Sequence, residues 1–363
     1  SRTPEFRAAV RRKVSMKLGV VLGYAGPQLN TTVQDLVDVK KIQECEKLGY
    51  DSVWTAESWG NDALTPLAWL GAHSSKIKLG AGIMQCPGRS PANAAMAAMT
   101  LDIISGGRFI MGLGTSGPQV VEGWHGVSFD KPLTWLREYV TIVKKIFARE
   151  EPLQFEGKRY QIPYMGEGST GQGKPLKSMI HGRADIPVYT GSMAPKSQQM
   201  SGELADGCLL TCMDPERGDV LLKNFEVGFE RAGNGKSLAD FDIAPTVTVA
   251  IGPEEAVLPP CKMQLALYIG GMGSKKKNFY KDYFCQIGFE EACEKIQTAF
   301  LEGHRKEAIA AVPDEMVHAV NLVGSKDQIR DRFQRWKDSP VGTMMVGSKD
   351  LNTLRFMAEL NAA

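Results

Sequence analysis

The chain has 363 residues, with 43 Lys and Arg against 41 Asp and Glu for a formal net charge of +2. That balance gives no long-range field for nucleic acid or an anionic membrane surface, so the expected partner is a small-molecule substrate. No apolar run approaches the roughly 20 residues of a membrane span and no signal-peptide core is present, which predicts a cytoplasmic protein.

Residues 1–15 carry Arg2, Arg7, Arg11, Arg12 and Lys13 ahead of the first plausible strand. They are expected to be a disordered arm or an expression remnant outside the fold, leaving 16–363 as one domain. From Met16 onward, short β-rich runs alternate with amphipathic stretches, the pattern of a parallel sheet with crossover helices. The predicted strands one to four are Lys17–Leu22, Ser52–Thr55, Ile77–Met84 and Arg108–Leu113. Helices are predicted between them over Thr32–Leu48, Ala63–His73 and Pro91–Ile104, the last with proline in its first turn. A helix over Leu136–Ala148 leads into a small hairpin, Leu153–Ile162, turning at Glu156-Gly157-Lys158. Strands five to seven are Ile186–Thr190, Cys208–Thr211 and Ile243–Ile251, with helices over Ser197–Ala205 and Val220–Ala232. About ninety largely helical residues separate strand seven from strand eight, Gly342–Val346, and Leu351–Leu360 is the final helix. Eight strands with a hairpin insertion and a large helical insertion before the last strand predict an α/β fold, a (β/α)8 TIM barrel. Its ligand site is expected on loops at the C-terminal strand ends.

The seven cysteines stand at 45, 86, 208, 212, 261, 285 and 293, several inside apolar runs. They read as reduced, buried thiols, and Cys208 and Cys212 lack the further ligands a metal site requires. The run Gly112-Leu113-Gly114-Thr115-Ser116-Gly117-Pro118 has the spacing of a dinucleotide-binding turn. Three βα units precede it, Pro118–Trp124 shows no obvious helix, and Arg137 stands where the acidic ribose ligand belongs. It therefore reads as a barrel loop, either a tight turn that needs small residues or a backbone cradle for a phosphate.

Several stretches together resemble a known family: Gly49-Tyr50-Asp51-Ser52-Val53-Trp54-Thr55-Ala56-Glu57, Lys78-Leu79-Gly80-Ala81-Gly82-Ile83-Met84-Gln85, Ser105-Gly106-Gly107-Arg108-Phe109 through Pro118, and Gly123-Trp124-His125-Gly126. Gly270-Gly271-Met272-Gly273-Ser274 and Asn278-Phe279-Tyr280 extend the likeness along the chain. The chain resembles the luciferase-like monooxygenase superfamily, in particular its coenzyme F420-dependent branch with methylenetetrahydromethanopterin reductase.

The resemblance implies a bacterial-luciferase-like barrel opening onto a flat tricyclic cofactor, coenzyme F420 or alternatively FMN, and an assembly that is a homodimer or larger. It implies a backbone bulge at Gly82-Ile83, with a non-prolyl cis peptide against the ring, and a phosphate site at Gly114, Thr115, Ser116, Gly117, Gly191 and Ser192. Glu57 falls where relatives place a polar group over the ring, some of them a histidine, and is read either as a proton carrier or as an exposed residue with no role. Trp59 is read as an apolar wall or a packing residue. His125, able to titrate near neutral pH, is read as lining the substrate face or as structural, as is Trp124. Lys275, Lys276 and Lys277 are read as a solvated loop or as contacts for an acidic cofactor tail. The function implied is hydride transfer between F420 and an organic substrate. The alternatives are an FMN-dependent monooxygenase and a non-catalytic flavin-binding barrel.

Overall fold

The computed structural model describes residues 15–27 and 29–363. The expected arm over 1–15 therefore lies outside the described residues except for Ser15. Eight parallel strands alternate with helices: β1 Lys17–Gly23, β2 Ser52–Thr55, β3 Lys78–Ala81, β4 Phe109–Gly114, β5 Val188–Gly191, β6 Gly207–Leu210, β7 Asp242–Ile251 and β8 Thr343–Gly347. This is the (β/α)8 TIM-barrel class.

The chain divides into two compact units, and one of them is Leu22–Gly191 with Met200–Leu209. Within it β2 pairs with β3 in the register Ser52↔Lys78, β3 with β4 as Leu79↔Phe109, β4 with β5 as Met111↔Val188, and β5 with β6 as Tyr189↔Gly207. Every residue of β2 and β4 is buried, as expected for parallel strands covered on both faces. Gly80 has a specific reason to be glycine, since a Cβ there would stand 2.4 Å from the Trp54 ring. Trp54 itself is fully buried, donates from Nε1 to Ser52 Oγ at 2.9 Å, and tilts against Tyr189 with ring centroids 5.7 Å apart.

The helix Pro91–Ile104 starts as predicted, with Ser90 Oγ accepting from the Asn93 amide at 3.1 Å. The hairpin forms as Phe155–Glu156 against Gln161–Ile162. Glu138, from the helix Pro132–Ala148, seats its turn by accepting the amides of Lys158, Arg159 and Tyr160 at 2.6, 3.0 and 3.0 Å.

In the other unit β1 pairs with β8 from Lys17↔Thr343, and β7 pairs with β8 and with a short strand, Leu322–Gly324. The helical insertion begins with Glu254–Gly271, whose Gly270 admits Phe300 of the helix Glu290–Leu301; a Cβ there would lie 2.4 Å from the Phe300 side chain. Tyr268 and Tyr280 stack at 4.9 Å, and Tyr280 shares a hydrogen bond with Thr211 at 3.3 Å.

Four local expectations change. The predicted helix Thr32–Leu48 is two, Val33–Leu36 and Val39–Lys47, because Asp38 caps the second by accepting from the Lys41 amide. The predicted strand Ile77–Met84 stops at Ala81 and resumes as Met84–Gln85, which pairs with the end of β4. Pro118–Gly123 is a short helix after all, with Pro118 in its first turn. Leu322–Gly324 is an additional strand inside the helical insertion. All seven cysteines are free thiols, and burial pushes those of Cys45 and Cys212 up to about 12.

Candidate active site

The strand ends of the first unit carry the candidate site. The loop after β2 is stapled at its base: Thr55 Oγ1 donates to Ala63 O at 2.7 Å, and the Ala63 amide donates to Glu57 Oε2 at 2.9 Å. Glu57 is thereby drawn inward and only 9% exposed, which corrects the expectation that it is an exposed residue. Its other oxygen accepts from the Gln85 amide at 2.7 Å. Arg89 Nη1 and Nη2 reach Oε1 and Oε2 at 2.8 and 3.2 Å. Four donors thus occupy the roughly four lone-pair sites of this carboxylate.

Arg89 enters from the short 3-10 turn Cys86–Gly88 and also meets Asp62 Oδ2 at 3.5 Å. Burial pulls its pKa down, but the Glu57 hydrogen bond and the charges of Glu57 and Asp62 outweigh that and hold it above the ordinary value. Tyr139 Oη donates to Arg89 O at 2.8 Å, tying this turn to the outer helix.

After β3 the Gly82-Ile83 peptide is cis, as the resemblance implied. The Ile83 side chain fills the space beside two predicted glycines. A Cβ on Gly114 would fall 2.3 Å from Ile83 Cδ1, and one on Gly191 would fall 3.2 Å from Ile83 Cγ2. Gly114 and Gly191 therefore meet a packing requirement set by Ile83.

Beyond Gly114 the loop presents Thr115, Ser116 and Gly117, all partly exposed. Ser116 has a left-handed backbone, φ 66°. No hydrogen bond engages the Ser116 or Gly117 amide among the described residues. Thr115 Oγ1 donates to Ser116 O at 3.2 Å, and Ser116 Oγ accepts from Gln85 Nε2 at 3.3 Å. Ser192 belongs to the other unit, where its hydroxyl donates to Ala194 O at 3.4 Å and its carbonyl accepts from Gln198 Nε2 at 3.5 Å.

His125 follows the helix Pro118–Gly123 and is half-buried, and a Cβ on Gly88 would lie 3.6 Å from its Cε1. Its Nε2 lies 2.9 Å from Gln85 Oε1. Glu57, Gln85, Arg89, Ser116 and His125 thus form one hydrogen-bonded cluster. Sequence reasoning named Glu57, Ser116 and His125 but missed Gln85 and Arg89. Trp59 and Trp124 are each 64% exposed, so neither serves as core packing. Lys275, Lys276 and Lys277 are exposed, with Lys277 Nζ over the Phe279 ring at 5.6 Å.

A polar, half-buried cluster at the strand ends of a (β/α)8 barrel is the candidate active site of an enzyme, and the class of that enzyme is set by its relatives, the luciferase-like oxidoreductases. The chain belongs to the luciferase-like monooxygenase family, whose model matches residues 16–343. It is 40% identical over 350 residues to a Mycobacterium tuberculosis protein assigned by name to the coenzyme F420-dependent oxidoreductases, spanning 96% of this chain and 99% of that one. Among solved structures it is similar to the coenzyme F420-dependent tetrahydromethanopterin reductase of Methanopyrus kandleri. The TM-score is 0.73 at 24% identity, covering 95% of this chain and 98% of that one. It is also similar to a Pseudomonas putida Baeyer-Villiger monooxygenase in complex with FMN, with a TM-score of 0.63 at 20% identity over 96% of this chain and 98% of that one. No described helix is long and apolar enough to cross a membrane.

Proposed function

We propose that the protein transfers hydride between coenzyme F420 and a small organic substrate. The observation that carries this reading is the donor set after β4. Ser116 and Gly117 offer amides with no partner among the described residues, and the Ser116 hydroxyl accepts from Gln85, which leaves its hydrogen to donate. Amides and hydroxyls without a carboxylate in the loop suit the phosphate that F420 carries. Thr115, Ser116 and Gly117, with Gly191 of the same unit, would hold that phosphate, and the Gly82-Ile83 backbone would back the ring. The deazaflavin, when bound, supplies the hydride-bearing carbon. The choice of F420 over FMN is supported by the name of the 40% identical relative.

The residues divide the work. Glu57 and Arg89 hold the loops after β2 and β3 together, because every lone pair of Glu57 is already taken. His125 is the group free to exchange a proton with the substrate, since its Nδ1 has no partner among the described residues. The assembly expected with this reading is a homodimer, and sedimentation of the purified protein tests it. The cofactor is tested by titrating the protein separately with F420 and FMN and following fluorescence. F420 is expected to bind about tenfold or more tightly than FMN. Tight FMN binding with no F420 binding would overturn the reading in favour of an FMN monooxygenase, which would use the same phosphate donors.

A further inference from the structure

We infer that Gln85 is a positioning residue that sets the hydrogen-bond polarity of both ligand-facing groups, fixing His125 as the Nε2–H tautomer and turning the Ser116 hydroxyl hydrogen outward. Gln85 is 3% exposed, so its amide cannot fall back on water. A primary amide has two N–H hydrogens and one carbonyl oxygen to place. Its Nε2 lies 3.2 Å from the backbone carbonyl of Glu57, which can only accept. That contact fixes the amide's orientation, because the reversed group would set two acceptors face to face.

The remaining assignments follow. The second N–H of Gln85 meets Ser116 Oγ, so that hydroxyl accepts and its own hydrogen is directed elsewhere. Oε1 meets His125 Nε2, which must then carry the hydrogen of the neutral ring. The lone pair left on His125 is at Nδ1. Gln85 is itself anchored, since its backbone amide donates to Glu57 Oε1 and Arg89 grips the same oxygen. The charged pair thus acts on the site through Gln85, presenting a proton acceptor at Nδ1 and a donor at the Ser116 hydroxyl. The inference rests on the proposed function only for what those two atoms face, a proton-exchanging substrate and a phosphate.

The test is long-range proton–nitrogen NMR of the histidine rings in the full-length, ligand-free protein, with His125 assigned by the signals lost in His125→Asn. Above its titration midpoint, wild-type His125 is expected as the Nε2–H tautomer alone. Gln85→Met should make the Nδ1–H form detectable. Gln85→Glu, which sets a carboxylate against Nε2–H, should raise the His125 midpoint by about one unit or more. A residue that merely fills space would move neither signal. An Nδ1–H ring in the wild type overturns the inference, as do an unchanged tautomer and midpoint in the variants. If Gln85→Glu does not fold, the wild-type spectrum and Gln85→Met still decide. Adding F420 separates the two claims: no F420 binding, with the tautomer as inferred, overturns the proposed function but leaves Gln85 its positioning role.

Discussion

Arg89 grips Glu57 with both prongs of its guanidinium, Nη1 to Oε1 at 2.8 Å and Nη2 to Oε2 at 3.2 Å, with the two side chains 16% and 6% exposed. Thirty-two positions separate them, and the pair joins the loop after β2 to the turn after β3. Paired charges so far from water are costly to break because the survivor is left unbalanced.

Glu57→Gln is therefore expected to act on stability. The new amide would turn an N–H toward donors, the Ala63 and Gln85 amides and Arg89, while Asp62 at 3.5 Å compensates Arg89 only in part. A loss of about 3 kcal/mol is expected in urea unfolding. A variant as stable as the wild type but slower in turnover would instead make Glu57 the proton carrier.

A second carboxylate predicts a pH dependence. Glu46 accepts the amides of Ser75, Lys76 and Ile77 at the start of β3, at 3.0, 2.6 and 2.7 Å on Oε2. Burial pushes its pKa up, but the hydrogen bonds from Ile77, Lys76 and Ser75 prevail and hold it below the ordinary 4.5. The folded protein thus binds this proton less tightly than the unfolded chain does. The contribution is complete above 4.5 and lost as pH falls through the lower folded value. Glu46→Gln should cost about 1 to 2 kcal/mol at neutral pH. The difference from wild type should vanish in acid unfolding series below that window; a gap that persists there contradicts the linkage.

The parts of this architecture legible in the sequence were those with local causes. Ser90 followed by Pro91 marks a helix start, and β2 is a short β-branched and aromatic run between a glycine turn and a loop. The break at Asp38 was also written locally, as a capping residue inside an apolar repeat, but the continuous spacing of Leu36, Val39 and Ile42 masked it. Pro118–Gly123 was obscured by its brevity and by flanking glycines, although proline in a first turn is a start signal. Glu57 and His125 could be proposed from their places at strand ends. Arg89 and Gln85 could not, because what gives each a role is a partner 28 to 40 residues away, brought close only by the pairing of strands.

The glycines of the false dinucleotide fingerprint differ in what they tolerate. A Cβ on Gly112 would stand 1.9 Å from Ala81 O, backbone against which nothing flexible can yield, one residue before the Gly82-Ile83 peptide. A Cβ on Gly117 would meet only Gln119 Oε1, the mobile end of a side chain, at 3.2 Å. Gly112→Ala is expected to cost about 3 kcal/mol or more and to weaken F420 binding by displacing β3, while Gly117→Ala should stay within about 0.5 kcal/mol. Thermal unfolding of the two variants side by side is the check, and equal losses would show that the loop, not the strand contact, dictates these glycines.

Ser116→Asp tests the phosphate site with little risk to the fold. Ser116 already holds φ 66°, a left-handed conformation that aspartate adopts more readily than most residues, and Gln85 Nε2 can donate to the new carboxylate as it does to the hydroxyl. Unfolding of the ligand-free protein should therefore change little. The added charge stands on the same residue as one of the two amides unpaired among the described residues and next to the other, so a phosphate bound to them meets a like charge in a partly buried loop. That repulsion is worth about 1 kcal/mol in water and several times more where water is excluded. F420 affinity should fall about tenfold or more, with the loss shrinking as salt is raised. Ser116→Gly, which removes the hydroxyl and keeps the backbone conformation, should lose less. Affinity that is the same in wild type and in Ser116→Asp would place the phosphate somewhere other than the end of β4.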